Sequence, residues 1–119
     1  MSILIFILTV LTLHWIADFV LQDDYMATNK STSWKALMLH TMTYTLVWAP
    51  IALYTLGLWK ALIFMIVTFI CHTIQDRVTS KWTSILYEAK EYRLFFNVIG
   101  ADQLLHYTQL FLTFLLLSL

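Results

Sequence analysis

Charge is scarce in this sequence. Asp, Glu, Lys and Arg together make up 12% of the 119 residues, against 61% hydrophobic. A soluble globular domain carries about 25% charged residues, so the composition excludes that class. Positive and negative charges cancel, which removes the bulk basic charge that would argue for nucleic acid. Cys71 is the one cysteine; it excludes an intramolecular disulfide. Lying inside an apolar run, it reads as a small buried hydrophobe rather than a soft metal ligand. No Lys or Arg precedes Lys30, and no small-residue cleavage pattern follows the apolar run Met1 to Leu13. A secretory leader carries both features, so the run is read as a retained transmembrane helix. There is no repeat and no low-complexity stretch, and the length is that of a single domain, residues 1–119.

What the chain has in abundance is apolar length. A hydrocarbon core of ~30 Å takes about 20 helical residues, and four segments reach that, roughly 2–22, 34–56, 58–80 and 100–119. The expected fold class is therefore all-α, an integral membrane bundle of four transmembrane helices. The first gap, Asp23 to Ser33, is polar, and Thr32 or Ser33 is placed to cap the second helix. Pro50 predicts a kink inside segment two, and Gly57 a tight turn after it. In the third gap, 81–99, Trp82, Ile85, Leu86, Ala89 and Tyr92 recur at helical spacing among Lys81, Glu88, Lys90, Glu91 and Arg93. That pattern predicts an interfacial amphipathic helix between helices three and four, an ordinary polar loop being the alternative. Lys30, Lys35, Arg77, Lys81, Lys90 and Arg93 fall on one side of such a bundle and Lys60 alone on the other. The positive-inside rule then puts both long loops in the cytoplasm and both termini outside, in a multi-pass protein of the cell membrane. Trp15, Trp34, Trp48, Trp59 and Trp82 read as interfacial belt or packing.

Against this background every histidine of the chain falls in a short His/Asp signature, one per segment: His14-x-x-x-Asp18, His40, His72-x-x-x-Asp76 and Asp102-x-x-x-His106. Ionisable groups within membrane segments are costly and by default mark a functional site. Counted from the cytoplasmic helix ends at 1.5 Å per residue, the histidines come out at depths of roughly 9–12 Å and the aspartates at roughly 3–6 Å. Residues at i and i+4 share a helix face, so each pair aims both groups the same way. The faces continue as polar stripes through Gln22, Tyr44, Thr68, Gln109 and Thr113, as expected of a bundle interior.

His and Asp at this spacing can chelate a metal from one helix, and two or three such pairs can hold one or two ions, as in carboxylate-bridged bundles. The donor set suits zinc, iron or manganese rather than calcium or magnesium, with zinc foremost. The expected ligands are His14, Asp18, His40, His72, Asp76, Asp102 and His106, and Asp18, Asp76 or Asp102 would serve as catalytic base. Gln22, Tyr44 and Gln103 are expected to support the ligands or touch substrate. Lys30, Lys35, Arg77 and Lys81 are expected at the mouth, where they could steer an anionic head group, though topology signalling alone would also explain them. A metal at such a site activates water and polarises a phosphoryl or carbonyl oxygen, which predicts a membrane-embedded metal-dependent hydrolase working at the cytoplasmic leaflet on a lipid-linked or anionic substrate. The competing expectations are a metal-ion or proton transporter component and a structural or accessory membrane protein. Transport needs a continuous polar path, and the stretch Ile3 to Leu11 offers only Thr9, while Leu110 to Leu119 offers only Thr113 and Ser118. Homo-oligomers remain open.

The stretches His14-Trp-Ile-Ala-Asp18-Phe-Val-Leu-Gln22, Met26-Ala-Thr-Asn-Lys30, Lys35-Ala-Leu-Met-Leu-His40, His72-Thr-Ile-Gln-Asp76 and Asp102-Gln103-Leu-Leu-His106 resemble a family of small integral membrane proteins of bacteria and phages, a domain family of unknown function. The resemblance covers nearly the whole chain and implies the four-helix membrane architecture. In that family a charged residue closely follows the third motif; here Arg77 and Lys81 occupy the region. A more distant similarity, in fold type and ligand type, is to the membrane-bound metal-dependent hydrolases, and it implies hydrolytic chemistry by analogy.

Overall fold

A computed structural model describes residues 1–119. The chain is all-α. Helix α1 (Ile3–Trp15) runs without a break into a π-helical segment, Ile16–Val20. A short helix α2 (Asp24–Asn29) follows, then α3 (Trp34–Val47), α4 (Ala49–Leu56), α5 (Leu58–Glu88) and α6 (Tyr92–Ser118). The long helices α5 and α6 form an antiparallel hairpin, with α3 and α4 packed on α5, α1 on α6 and the π segment on α3.

Local chemistry accounts for the boundaries. The side chains of Ser2, Asp23 and Ser33 accept from the backbone N–H groups of Ile5, Met26 and Ala36, capping α1, α2 and α3. Pro50 lacks the N–H of a helical bond and its ring crowds the preceding turn; α3 and α4 meet there at a 40° bend. Gly57, at φ 75°, makes the turn into α5, a backbone conformation that side chains with a Cβ disfavour. The hydroxyls of Thr9, Thr43, Thr55, Thr73 and Thr108 donate to carbonyls four residues back at 2.7–2.8 Å. This satisfies them inside their own helices, as an apolar surrounding requires.

The molecule is apolar outside and nearly half polar within. Only 21 of 119 residues are buried, and ten of those are polar or charged, among them all four histidines. Large apolar side chains such as Ile3, Leu4, Trp59, Ile66, Ile74 and Leu116 are exposed. Water would penalise that distribution; lipid accepts it. Helices Ile3–Val20 and Leu58–Glu88 are each long and apolar enough to cross a membrane, and the bent pair α3–α4 makes a third if it is one span. Helix α6 has the length, but Asp102, Gln103, His106 and Gln109 interrupt its apolar character.

Two sequence expectations change. The amphipathic stretch expected as a separate interfacial helix between helices three and four is not an element of its own. Its first half extends α5 to Glu88, and its second half begins α6 at Tyr92. Nothing between Thr79 and Glu88 breaks a helix, so α5 runs on for 31 residues, about 46 Å at 1.5 Å each, well past one bilayer core. The turn comes at Ala89–Glu91, where Lys90 takes φ 58°. The second change is in the first polar gap, which contains the helix α2 and is docked on α3.

Candidate metal centre

The inward faces of α1, α3, α5 and α6 meet at one buried cluster. On α5 the buried positions are Ala61, Phe64, Thr68, His72, Asp76 and Ser80, a stripe with three- or four-residue steps. On α3 the equivalent stripe carries Ala36, Leu37, His40, Thr41 and Tyr44. Asp18 sits in the π segment, where Leu21 N–H bonds to the Ile16 carbonyl five residues back at 2.9 Å. That wider turn offsets Asp18 from a regular helical face and buries it, and such turns are common at functional sites.

Four ligand-type side chains converge most closely. The Nε2 atoms of His40 and His72 are 3.1 Å apart. Asp18 Oδ1 lies 3.1 Å from the first and 3.5 Å from the second. Asp76 places Oδ2 3.0 Å from His40 Nε2 and Oδ1 3.6 Å from His72 Nε2. Four donors around a tetrahedral zinc ion, with bonds of 2.0–2.2 Å, stand about 3.3 Å from one another, so these separations fit one ion. A second set, Asp18 with Asp102 and His106, also gathers within ligand reach and shares Asp18 with the first. His106 also faces a ligand-type oxygen of the first set. Its Nδ1–H donates to the Asp102 backbone carbonyl at 2.6 Å, which leaves the Nε2 lone pair of a neutral ring facing Asp76 Oδ1 at 3.2 Å. A lone pair against a carboxylate oxygen is repulsive unless a cation or a proton lies between them. Charge points the same way. Asp18, Asp76 and Asp102 bring three negative charges and Lys30 one positive, so with neutral histidines two negative charges stay uncompensated, which one divalent ion balances.

The remaining residues orient this set. Tyr44 stacks on the His72 ring, centroids 3.7 Å apart and planes 17° apart. Its hydroxyl lies 2.8 Å from His14 Nδ1. His14 Nε2 lies 2.6 Å from Gln103 Oε1; since the amide oxygen only accepts, His14 Nε2–H donates and its Nδ1 accepts from Tyr44. The Gln103 amide nitrogen then donates to Asp18 Oδ2 and Asp102 Oδ2, both at 3.2 Å. Partners of this kind fix ligand orientation and basicity. Thr79 Oγ1 holds the other oxygen of Asp102 at 2.8 Å.

Thus Asp18, His40, His72, Asp76, Asp102 and His106 come together in the two ligand-capable groups. His14, expected as a ligand, is buried beside them with both ring nitrogens engaged by Tyr44 and Gln103. Lys30, expected at the mouth, instead turns inward, and its Nζ donates to Asp76 Oδ2 at 2.9 Å. Burial works against the Lys30 charge, but the Asp76, Asp18 and Asp102 carboxylates outweigh it and raise its pKa above the ordinary lysine value. Arg77 clamps the α2–α3 connection: it donates to the Ser31 carbonyl at 3.3 Å and its guanidinium lies 4.3 Å from the Trp34 ring centre. Lys35 and Lys81 are exposed outside the cluster. Cys71 is half-buried and belongs to neither ligand group.

Beside the cluster a cavity of ≈ 520 Å³ opens, reached by Asp18, Lys30, Asp102, Gln103 and Gln22. Sequence reasoning missed its other polar walls, Thr79, Ser80, Thr83 and Ser84. The signal was present: Thr68, His72, Asp76, Ser80 and Ser84 recur at four-residue steps, one stripe that crosses the assumed end of the third span.

The family described as protein of unknown function (DUF3307) matches residues 5–118. The chain belongs to that family, in accord with the resemblance carried by its His/Asp motifs. Neither the curated proteins nor the solved structures contain a match, and the likeness to metal-dependent hydrolases finds no support there.

Proposed function

We propose that this member of the DUF3307 family is a four-span protein of the cell membrane that holds a divalent transition metal ion and hydrolyses a lipid-linked or anionic substrate at the cytoplasmic face. Zinc is the first choice of metal, with iron or manganese in the same ligand class. The observation that carries the reading is the convergence of His40 Nε2 and His72 Nε2 on the carboxylates of Asp18 and Asp76 at 3.0–3.6 Å. Those four residues hold the ion, and a second ion would share Asp18 with Asp102 and His106. A metal in such a site supplies a water acidic enough to ionise near neutral pH and a Lewis-acid contact to a phosphoryl or carbonyl oxygen. Asp102 is the carboxylate that both borders the cavity and is held by Thr79 and Gln103, so it is placed to take a proton from a group bound there.

What favours a one-sided site over a transport path is the other half of the bundle. Val10, Trp48, Phe64, Leu110 and Phe114 are packed there at 0–4% exposure, in a core that contains no Asp, Glu, His, Lys or Arg. The six-to-one distribution of basic residues supports cytoplasmic loops and non-cytoplasmic termini.

The test is elemental analysis of the full chain purified in detergent without chelator or imidazole. One or two transition-metal ions per chain are expected, strongly reduced in His72→Ala. Chelation should lower the melting temperature, because an ion bound only by the folded state adds to its stability. Metal below about a tenth of an ion per chain would leave RT ln(1 + [L]/Kd) near zero and sink the reading. Reporter fusions at Leu119 should be active only outside the cytoplasm; activity restricted to the cytoplasm overturns the orientation.

A further inference from the structure

The cavity beside the cluster has two unlike sides. Its volume, ≈ 520 Å³, lies within the range of about 300–1,000 Å³ typical of small-molecule sites. One side is a rim of hydroxyl and amide groups from Ser80, Thr83 and Ser84 on α5, Gln22 after the π segment and Gln103 on α6. Ser80 is 7% exposed, and its Oγ has no hydrogen-bond partner; the Gln22 Oε1 is in the same condition. Buried polar atoms without partners are rare and call for a ligand or an ordered water. The other side is aromatic: Tyr87 and Phe95, with ring centroids 5.4 Å apart, and Phe19, which is 46% exposed on the apolar exterior.

Charge narrows the ligand. Lys30 is the cation of the lining, and its ammonium is already paired with Asp76. Asp18 and Asp102 border the same space. With one divalent ion held, the charge of the cluster is balanced, and the lining offers a phosphate head group neither a free ammonium nor the arginine fork that binds phosphate in bidentate fashion. A sugar ring carries no charge. It presents an apolar C–H face and a rim of hydroxyls that both donate and accept, matching the aromatic side and the Ser/Thr/Gln side together.

We propose that this cavity binds the uncharged glycosyl head group of a lipid, with the lipid tail leaving past Phe19 into the bilayer. The inference rests on the membrane-embedded reading above and names the substrate class of that site, choosing a neutral lipid-linked head over an anionic one.

The test is native mass spectrometry of the full chain released from phosphatidylcholine nanodiscs that contain equal amounts of monogalactosyl diacylglycerol and phosphatidic acid. The chain should retain the galactolipid about tenfold over phosphatidic acid, a difference of about 1.4 kcal/mol. Ser80→Leu and Ser84→Leu, which fill the polar side, should lose that preference while metal content, read in the same samples, is unchanged. Ser84 is the less buried of the two and guards against a folding defect at Ser80. Thr55→Leu, exposed on α4, should keep the preference. Equal retention of the lipids, a preference for phosphatidic acid, or a preference that survives both leucine substitutions overturns the proposal. A chain that retains galactolipid but holds no metal upholds the head-group site and sinks the metal reading; a chain with metal and no lipid preference does the reverse.

Discussion

The two halves of this bundle are cut from the same helices and held together in opposite ways. In one half, Val10, Trp48, Phe64, Leu110 and Phe114 interlock, with Phe6 edge-on to Phe114 at 5.2 Å and Phe64 at 4.3 Å from the same ring. In the other, three carboxylates, four histidines, Lys30, Gln103 and Thr79 make contacts of 2.6–3.5 Å between different elements. For helices that cross a membrane, apolar packing gains little from excluding water, and alignment falls to shape complementarity and polar contacts. The aromatic half seals the bundle. The polar half fixes which helix faces which, because a carboxylate moved by one turn would be stranded without a partner. The boundary between them is the Gln109 amide, which donates to Thr68 Oγ1 at 3.2 Å and Thr113 Oγ1 at 3.0 Å.

The sharpest way to break the comparison is Asp76→Asn. Asp76 touches Lys30, His40, His72 and His106, and the amide leaves the Lys30 ammonium inside without its counter-charge. Removing one partner of a buried pair costs about 3–5 kcal/mol, so stability in detergent and metal content should fall together. A variant with ordinary metal content and an unchanged melting temperature would show that the cluster organises neither.

Next comes Phe64→Ala in the aromatic half. Truncating a fully buried Phe costs about 3–5 kcal/mol. Unfolding followed by helical signal should register the low end of that loss, while metal per folded chain stays the same. A parallel drop in metal content would mean that the halves are coupled and the comparison is too simple.

A smaller effect is expected from Gln103→Leu. The leucine fills the volume but releases His14 and both the Asp18 and Asp102 oxygens. Loss of such an orienting partner weakens metal binding about 10–100-fold. Titration of the metal-depleted protein should show that shift with the melting temperature of the metal-free form little changed; affinity equal to that of the unaltered chain would remove Gln103 from the centre.

Much of this was legible in the order of residues. The His/Asp spacings put each pair on one helix face, and the cost of charge in an apolar helix forces those faces inward, so a shared cluster followed from periodicity and burial alone. So did the kink at Pro50 and the turn at Gly57. Ser33, one of the two residues expected to cap the second helix, does so. The end of the third helix was misplaced because hydropathy falls after Thr79 while helix propensity does not. The hydroxyl wall of the cavity was lost with it.

What the sequence by itself determined is the all-α class, the inward faces and the set of ligand-type residues, because these depend on spacing within one helix and on transfer cost. What the tertiary structure decided is which atoms meet. His14 bonds Tyr44 and Gln103 instead of standing free, Lys30 turns in to Asp76, and Asp18 is shared between two groups through a π turn. Periodicity reports the face a side chain occupies, but not the helix that opposes it, the rotamer it takes or which neighbour reaches its second nitrogen first.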